Sequence, residues 1–513
     1  VLEELLVITL LATAGPVTID GVYPNPTTDG DRGEFVILSV PENTSPQGLE
    51  LTDGEDTIDL SGIEASGRVV VTADPGPASN LTDLPIHETK SFLSLSNGGE
   101  WVALRDGTSA SNLSYPRAPE GELYRNGRFE PIARSNFRPM TTRNVSIKTT
   151  VLPDDPTPLT RAIESADDRI LLAGYTFTDP SVTDALINAH QRNVTVRVLI
   201  EGGPVGGIPR PQVTQLDRLR AAGVPIAVMG TDRARYRFHH AKYAVVDDRA
   251  VVTSENWKPG GTGGNGSRGW AAVMHDPKVA ADLARIFRAD TDFIDTRSWT
   301  ASRPSEPVEG GMDTTRYPTR FPAQSSQAEQ VTVLTAPDNA AGAVRGMLAN
   351  ATESIRIQQV SIDPSTPLLN ESVAAARRGV TVRILLSGAW YAESENRALA
   401  RSLRDRAERE DLPLTVRLAE PRSRYEHVHA KSVIVDGESV LLGSLNWNPN
   451  ALRENREVAV RIDDSKAGTY FERVFRADWR GAAWRLPWGV LLGASVILLL
   501  GVAAARSFAD FEN

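Results

Sequence analysis

The chain has 513 residues, 41% hydrophobic and 23% charged, with a formal net charge of −10. Its length exceeds one ordinary core and implies about two to four domains. The acidic balance with no long basic run excludes adhesion to nucleic acid through a polycationic face, and the absence of cysteine excludes disulfides, thiol nucleophiles and cysteine-based zinc sites.

In chain order, residues 1–14 contain the apolar run LLVITLLATA, which ends in Ala-x-Ala and predicts a signal peptide, although Glu3 and Glu4 stand where a basic start is usual. From 15 to 117, short alternating runs such as EFVILSV, RVVVTAD and EWVALRD are broken by Asp-Gly and Asn-Gly-Gly turns. That spacing predicts an immunoglobulin-like antiparallel β-sandwich. Its phrases RGEFVILSV, LELTDGEDTIDL and LSLSNGGEWVALRDG resemble the lamin-tail domain. The resemblance implies a binding or spacer module for an unidentified ligand.

Residues 118–147 read as a connector. Helix and strand patterns then alternate through 148–295 and again, in the same order, through 331–480: RILLAGYTF and VTVRVLIEGG answer SIRIQQVSI and VTVRILLSG, and ARIFRAD answers ERVFRAD. Such alternation predicts two α/β lobes produced by duplication, joined by a Ser/Thr/Pro/Gly-rich linker at 296–330. Residues 486–505 form twenty uncharged residues, the length of a transmembrane helix. Eight Asn-x-Ser/Thr acceptors place the rest of the chain outside the cell, so the expectation is a membrane-anchored, extracellular catalytic part.

The scarce residue types gather in two stretches. HHAKYAVVDDRAVVTSENW at 239–257 and HVHAKSVIVDGESVLLGSLNW at 427–447 hold four of the seven histidines and two of only seven lysines. On an extended strand His240 shares a face with Lys242, and His429 with Lys431. The following hairpin strands deliver Ser254 with Asn256, and Ser444 with Asn446. A phosphodiester needs a nucleophile, a proton donor for the leaving oxygen and cations around the transition state. Two histidines and two lysines supply these without metal or other cofactor, and the serines and asparagines are expected to bind the non-bridging oxygens.

Both stretches match the His-x-Lys-x4-Asp motif of the phospholipase D superfamily, with Gly443-Ser444-x-Asn446 matching its extension. The resemblance implies a pseudo-twofold site completed within one chain and a phosphohistidine intermediate. It also brings Asp247 and Asp436 into the catalytic set, although each lies an odd number of residues from its histidine and so points away on a regular strand, where a turn role is expected. Glu457, in NREVAV, stands where related enzymes hold a carboxylate against histidine, and Trp270 of RGWAAV is taken as its counterpart. On that alignment Glu457 backs His429 as proton donor and His240 attacks as the neutral nucleophile. His427-x-His429 could also be a metal pair, but the first copy, His239-His240, does not repeat the spacing. The substrate expected is a phospholipid or nucleic-acid phosphodiester. An extracellular nuclease and a non-catalytic adhesion protein are the alternatives, and the lack of hydrophobic spans ahead of the lobes argues against cardiolipin-type synthesis.

Overall fold

The computed structural model describes residues 16–481 apart from 27–31, 43, 45–47, 80, 83, 106–109, 133–134, 231–233, 294, 312 and 422. The expected signal peptide at 1–14 and the expected transmembrane helix at 486–505 lie outside the described residues. Among the described residues no helix is long and apolar enough to cross a membrane. The longest, Glu393–Glu410, has 18 residues and is charged along its length (ESENRALARSLRDRAERE). Among the described residues the architecture is corrected to a sandwich followed by two lobes, and the expectation of a membrane-anchored chain finds no membrane-crossing helix among them.

The first part is a β-sandwich. A six-stranded sheet containing Thr18–Tyr23, Phe35–Val40 and Gly67–Thr72 faces a four-stranded sheet containing Glu50–Thr52 and Glu100–Arg105. Val22, Val36, Leu38, Leu51, Val69, Val102 and Leu104 fill the space between them. The sandwich takes more of the chain than expected. Glu122–Arg125 and Arg128–Pro131, within the anticipated connector, pair with each other, and Glu122–Arg125 also pairs with the strand Thr18–Tyr23. Their hairpin turns on Asn126 and Gly127, both at positive φ (51° and 78°), the conformation that two-residue hairpins require and that Asn-Gly supplies.

The two lobes share one fifteen-stranded sheet. At its centre the thirteen-residue strands Met140–Leu152 and Gln324–Ala336 pair antiparallel. Outward from them the order repeats on both sides: Gly269–His275, Arg249–Thr253, Tyr243–Val246, Arg169–Gly174, Thr195–Glu201 and Ile226–Met229 in lobe 1 correspond to Glu457–Asp463, Ser439–Gly443, Ser432–Val435, Ser354–Gln359, Thr381–Leu386 and Leu414–Leu418 in lobe 2. A pseudo-twofold axis thus passes between the two central strands. Lobe 1 adds an edge strand, Thr296–Ser298, followed by a short helix that buries Trp299. The anticipated linker therefore begins as part of lobe 1.

Helices cover both faces, so the inner strands are apolar on both sides and read as unbroken runs. In YAVV, Tyr243 and Val245 enter a core shared by the two lobes and roofed by helices Pro277–Thr291 and Ser465–Arg480, while Ala244 and Val246 face lobe 1's own core. Two buried arginines lock the lobes together. Arg268 meets Asp154 at 2.5 Å and, across the axis, Asp478 at 3.0 Å. Its counterpart Arg456 meets Asp338 at 3.4 Å and, across the axis, Asp290 at 3.0 Å. Each pair forms without exposure to water, where removal of one partner costs about 3–5 kcal/mol.

Candidate active site

Both motif segments cross the axis before entering their own strands. The His240 N–H donates to the Arg456 carbonyl at 2.9 Å, and the Arg456 N–H to the Phe238 carbonyl at 2.9 Å. Symmetrically, the His429 N–H donates to the Arg268 carbonyl (3.0 Å) and the Arg268 N–H to the His427 carbonyl (2.8 Å). The backbone beside each buried arginine thus aims the opposite lobe's histidine.

The side chains follow the same crossing. Glu457 of lobe 2 holds His240 of lobe 1, its Oε2 and Oε1 lying 2.9 and 3.0 Å from Nδ1. Glu255 of lobe 1 holds His429 of lobe 2, Oε2 to Nδ1 at 3.2 Å. The Lys242 ammonium donates to the His240 carbonyl (2.6 Å). The Lys431 ammonium donates to the His429 carbonyl (2.7 Å) and sits 3.2 and 3.3 Å from the two ring nitrogens. Both lysines and both glutamates are buried, whereas the imidazoles keep 12% and 19% of their side-chain surface in solvent and are the groups an entering molecule meets.

This arrangement corrects two expectations. Glu457 backs His240, not His429, and His429 has a carboxylate of its own. The sheet register shows why the sequence alignment slipped. Leu152 pairs with Gly269 as Ala336 pairs with Glu457, so the counterpart of Glu457 is Gly269 and not Trp270. Trp270 instead stacks on Phe471 in the shared core, centroids 4.2 Å apart. Glu255 was missed, although it stands between Ser254 and Asn256. Its counterpart in lobe 2 is Leu445, so the lobes exchange positions: Glu255 with Gly269 in one, Leu445 with Glu457 in the other. A Cβ on Gly269 would lie 2.2 Å from Glu255 Cγ, so the missing side chain makes room for that carboxylate. The legible signal was this reciprocal pair of glutamates, visible only once the strands are in register.

The serines do not face the histidines. Ser254 Oγ accepts the Trp270 N–H (3.0 Å) and Ser444 Oγ accepts the Val458 N–H (3.0 Å), both fully buried, so they tie the hairpin to the next strand rather than binding substrate oxygens. Asn256 and Asn446 are half-buried, and the Asn256 Oδ1 is buried without a hydrogen-bond partner. His239 lies buried near Asp290 (3.5 Å), and His427 turns toward Glu426 (3.7 Å). Among the described residues no three His, Asp or Glu side chains converge as metal ligands.

Asp247 and Asp436 sit at the far ends of their hairpins, about 16 Å of extended chain beyond the lysines. Each holds φ near +50°. Asp247 accepts the N–H groups of residues 167, 168 and 169, and Asp436 those of Thr352, Glu353 and Ser354. Against the opposing effect of burial these donors hold both carboxyls below their ordinary range. Asp247→Ala or Asp436→Ala is therefore expected to lower stability by about 1–3 kcal/mol in urea unfolding while kcat stays within a few-fold. A large loss of turnover at unchanged stability contradicts this turn role.

Burial, with the nearby lysines, pushes the His240 imidazole down to about 4 and that of His429 down to about 3. Burial also lowers Lys242, and takes Lys431 to about 8. For Glu255 burial acts upward, but His429 and Lys431 outweigh it and hold the carboxyl at about 2. At neutral pH both imidazoles are thus neutral with Nδ1–H pointing at a carboxylate, and the Nε2 lone pair of His429 lies 3.3 Å from the Lys431 ammonium. A stability prediction follows from these shifts. Between about pH 6.5 and 4 the unfolded chain binds protons on these histidines that the folded chain does not, so stability is full above that window and falls as pH drops through it. For His240 alone the loss is on the order of 3 kcal/mol. Thermal melting from pH 7.5 to 4.5 should show a falling midpoint, and a flat profile contradicts the neutral, buried pair.

Residues 159–291 and 344–479, together more than half of the chain, match the family described as "Cardiolipin synthase, PLD-like domain". The chain is 26% identical over 136 residues to the "Mitochondrial cardiolipin hydrolase" of Chlamydomonas reinhardtii, covering 26% of this chain and 56% of that protein. It is 23% identical over 342 residues to the "Probable cardiolipin synthase YwiE" of Bacillus subtilis (strain 168), covering 64% of this chain and 65% of that protein. The chain thus spans just over half and just under two thirds of these relatives' lengths. Among solved structures, a phosphatidylserine synthase of Haemophilus influenzae Rd KW20 aligns with a TM-score of 0.48 and 14% identity, covering 64% of this chain and 85% of that one.

Proposed function

The chain belongs to the PLD-like family of the phospholipase D superfamily, and on that premise we propose that it is a phosphodiesterase acting on phospholipid, by hydrolysis or by transfer to an alcohol. The observation that carries this reading is the crossed pair of histidine and carboxylate contacts, each beside a buried lysine, with both imidazoles partly exposed to solvent. Cardiolipin, named in both curated relatives, supplies the substrate class.

In the proposed reaction the Nε2 lone pair of one histidine attacks phosphorus. A P–N bond forms, and the P–O bond to the departing alcohol breaks. The substrate's negative charge favours the protonated state of the second imidazole, which gives its proton to the leaving oxygen. Lys242 and Lys431 balance the charge on the non-bridging oxygens, and Asn256 and Asn446 are the amides we assign to bind them. Water or a second alcohol then loses a proton to the second histidine and attacks phosphorus, breaking the P–N bond. Water gives hydrolysis; a lipid hydroxyl gives transfer. We assign no order to the two histidines, since each now has a carboxylate. No step calls for a metal. The sandwich, read as lamin-tail-like, is assigned a binding or spacing role.

The test is a head-to-head assay of the full chain on cardiolipin vesicles and on single-stranded DNA, with EDTA present. Release of phosphatidic acid from the vesicles, or exchange with added glycerol, is expected. Cleavage of the DNA alone replaces the phospholipid reading with a nuclease, and no turnover of either substrate or of an aryl phosphodiester rejects the enzyme and leaves an adhesion protein. Activity lost in EDTA and restored by zinc contradicts the metal-free route.

A further inference from the structure

A cavity of about 390 Å³ in lobe 2, lined by Arg383, Arg417, Phe475, Arg476, Trp479 and Arg480, contains none of the active-site residues. Pseudosymmetry supplies an internal comparison. The strand registers Val198 with Ile226 and Ile384 with Val416 align Arg197 with Arg383, and Ala227 with Arg417. The helix caps Asp276 and Asp464 align Arg288 with Arg476, Thr291 with Trp479, and Asp292 with Arg480. In lobe 1 the matching cavity, about 210 Å³, is lined by the edge strand Thr296–Ser298, and Arg197 is paired with Asp292 at 3.2 Å. In lobe 2 that aspartate is replaced by Arg480 and the small Ala227 by Arg417, and among the described residues no strand pairs with the outer edge of Leu414–Leu418.

The charges of lobe 2 are only partly satisfied. Arg476 meets Glu472 at 2.6 Å, and Arg417 donates to the Trp479 carbonyl at 3.3 Å while its guanidinium lies 4.7 Å from the Trp479 ring. Among the described residues Arg383 and Arg480 have no carboxylate partner. Cations at a helix C-terminus are favourable, which accounts for Arg480 and Arg476, but Arg383 and Arg417 come from strands and converge on the same space. Such a gathering of guanidinium groups repels itself unless an anion joins it. Arginine's planar fork matches phosphate oxygens. The Trp479 ring is already covered by Arg417 and by Phe475, whose centroid is 5.7 Å away, so the site offers guanidinium forks and no free aromatic platform for a base.

We propose that this cavity is an accessory binding site for a phosphate-bearing anion, a phospholipid headgroup or a free phosphate compound, separate from the catalytic cleft. The full chain is titrated calorimetrically with inorganic diphosphate, and its binding to vesicles of phosphatidylcholine with and without phosphatidylglycerol is measured by sedimentation. Arg480→Asp and Arg417→Ala, which install lobe 1's own residues, are compared with wild type, with circular dichroism to check folding and Arg480→Gln as a milder variant. Turnover of an aryl phosphodiester, read in parallel, keeps failure of this proposal distinct from failure of the catalytic reading. The expected result is a diphosphate or phosphatidylglycerol-dependent binding event weakened at least tenfold in the variants, with aryl turnover kept. Weakening in the vesicle arm assigns the headgroup, and weakening with diphosphate alone assigns a free phosphate compound. Equal binding by wild type and all variants in both arms overturns the proposal.

Discussion

Alanine at His240 or at His429 is expected to lower phosphodiester turnover by at least about 10³-fold, because each imidazole carries a step that no neighbouring group can take over. The lysines, both lowered by burial, donate to the histidine carbonyls, and the glutamates are occupied by Nδ1–H contacts. The double variant should be scarcely slower than either single one, since attack and proton delivery act as a unit. Each replacement removes one donor from a buried carboxylate, leaving Glu457 with Asn455 and Glu255 with Ser267, so a moderate loss of stability is expected as well, and thermal melting must accompany the kinetics. Asn at the same positions keeps a donor near the carboxylate and should restore stability without restoring turnover. Quenching in alkaline denaturant, where the acid-labile P–N bond survives, and mapping the phosphopeptide then identifies which ring bonds to phosphorus. Turnover within tenfold of wild type in a folded alanine variant removes the histidines from the mechanism.

Much of the lobe architecture is legible in the sequence alone. Runs such as YAVV and SVIV are apolar on both faces because helices cover both, and duplication makes their equivalence in the two lobes readable from the sequence. The regions that escaped were those whose cause is not local. Glu122–Arg125 and Arg128–Pro131 are polar, four-residue strands whose place is fixed by an Asn-Gly turn and by pairing with a strand a hundred residues earlier. Ser254 and Ser444 alternate correctly with the asparagines, yet a hydroxyl two residues from an amide can equally point into the ladder, and the ladder's N–H groups claimed it. For Asp247 and Asp436 the motif points to the chemistry and parity to turns, and their left-handed backbone at the hairpin ends agrees with parity. Above all, the partner carboxylates cross from one lobe to the other, a relation that no alignment of one repeat onto the other can express.

That crossing makes the exchanged glutamates the sharpest test of how the site is built. Glu457→Gly gives lobe 2 the residue that lobe 1 carries at the same register, Gly269, and leaves His240 without an acceptor for Nδ1–H. The expected result is a fall in kcat on the order of 10²-fold with KM little changed, since Glu457 is a positioning residue that orients the ring and fixes its tautomer rather than touching substrate. Adding Leu445→Glu then installs the carboxylate where lobe 1 has Glu255, one residue past the hairpin serine, with the space vacated by Glu457 to receive it. In lobe 1 that geometry already works: Glu255 lies against His429 at 3.2 Å with Gly269 making the room. The double variant Glu457→Gly with Leu445→Glu should therefore recover at least tenfold of the lost kcat, whereas Leu445→Glu alone crowds a second carboxylate into a filled, buried position and should destabilise the fold. A purely structural role for Glu457 predicts no such recovery, because the transplanted side chain comes from a different strand end and restores only the contact to His240. A folded double variant no more active than Glu457→Gly shows that the two halves are not interchangeable in this way and that the strand position of Glu457, rather than its contact with the imidazole, is what the reaction needs.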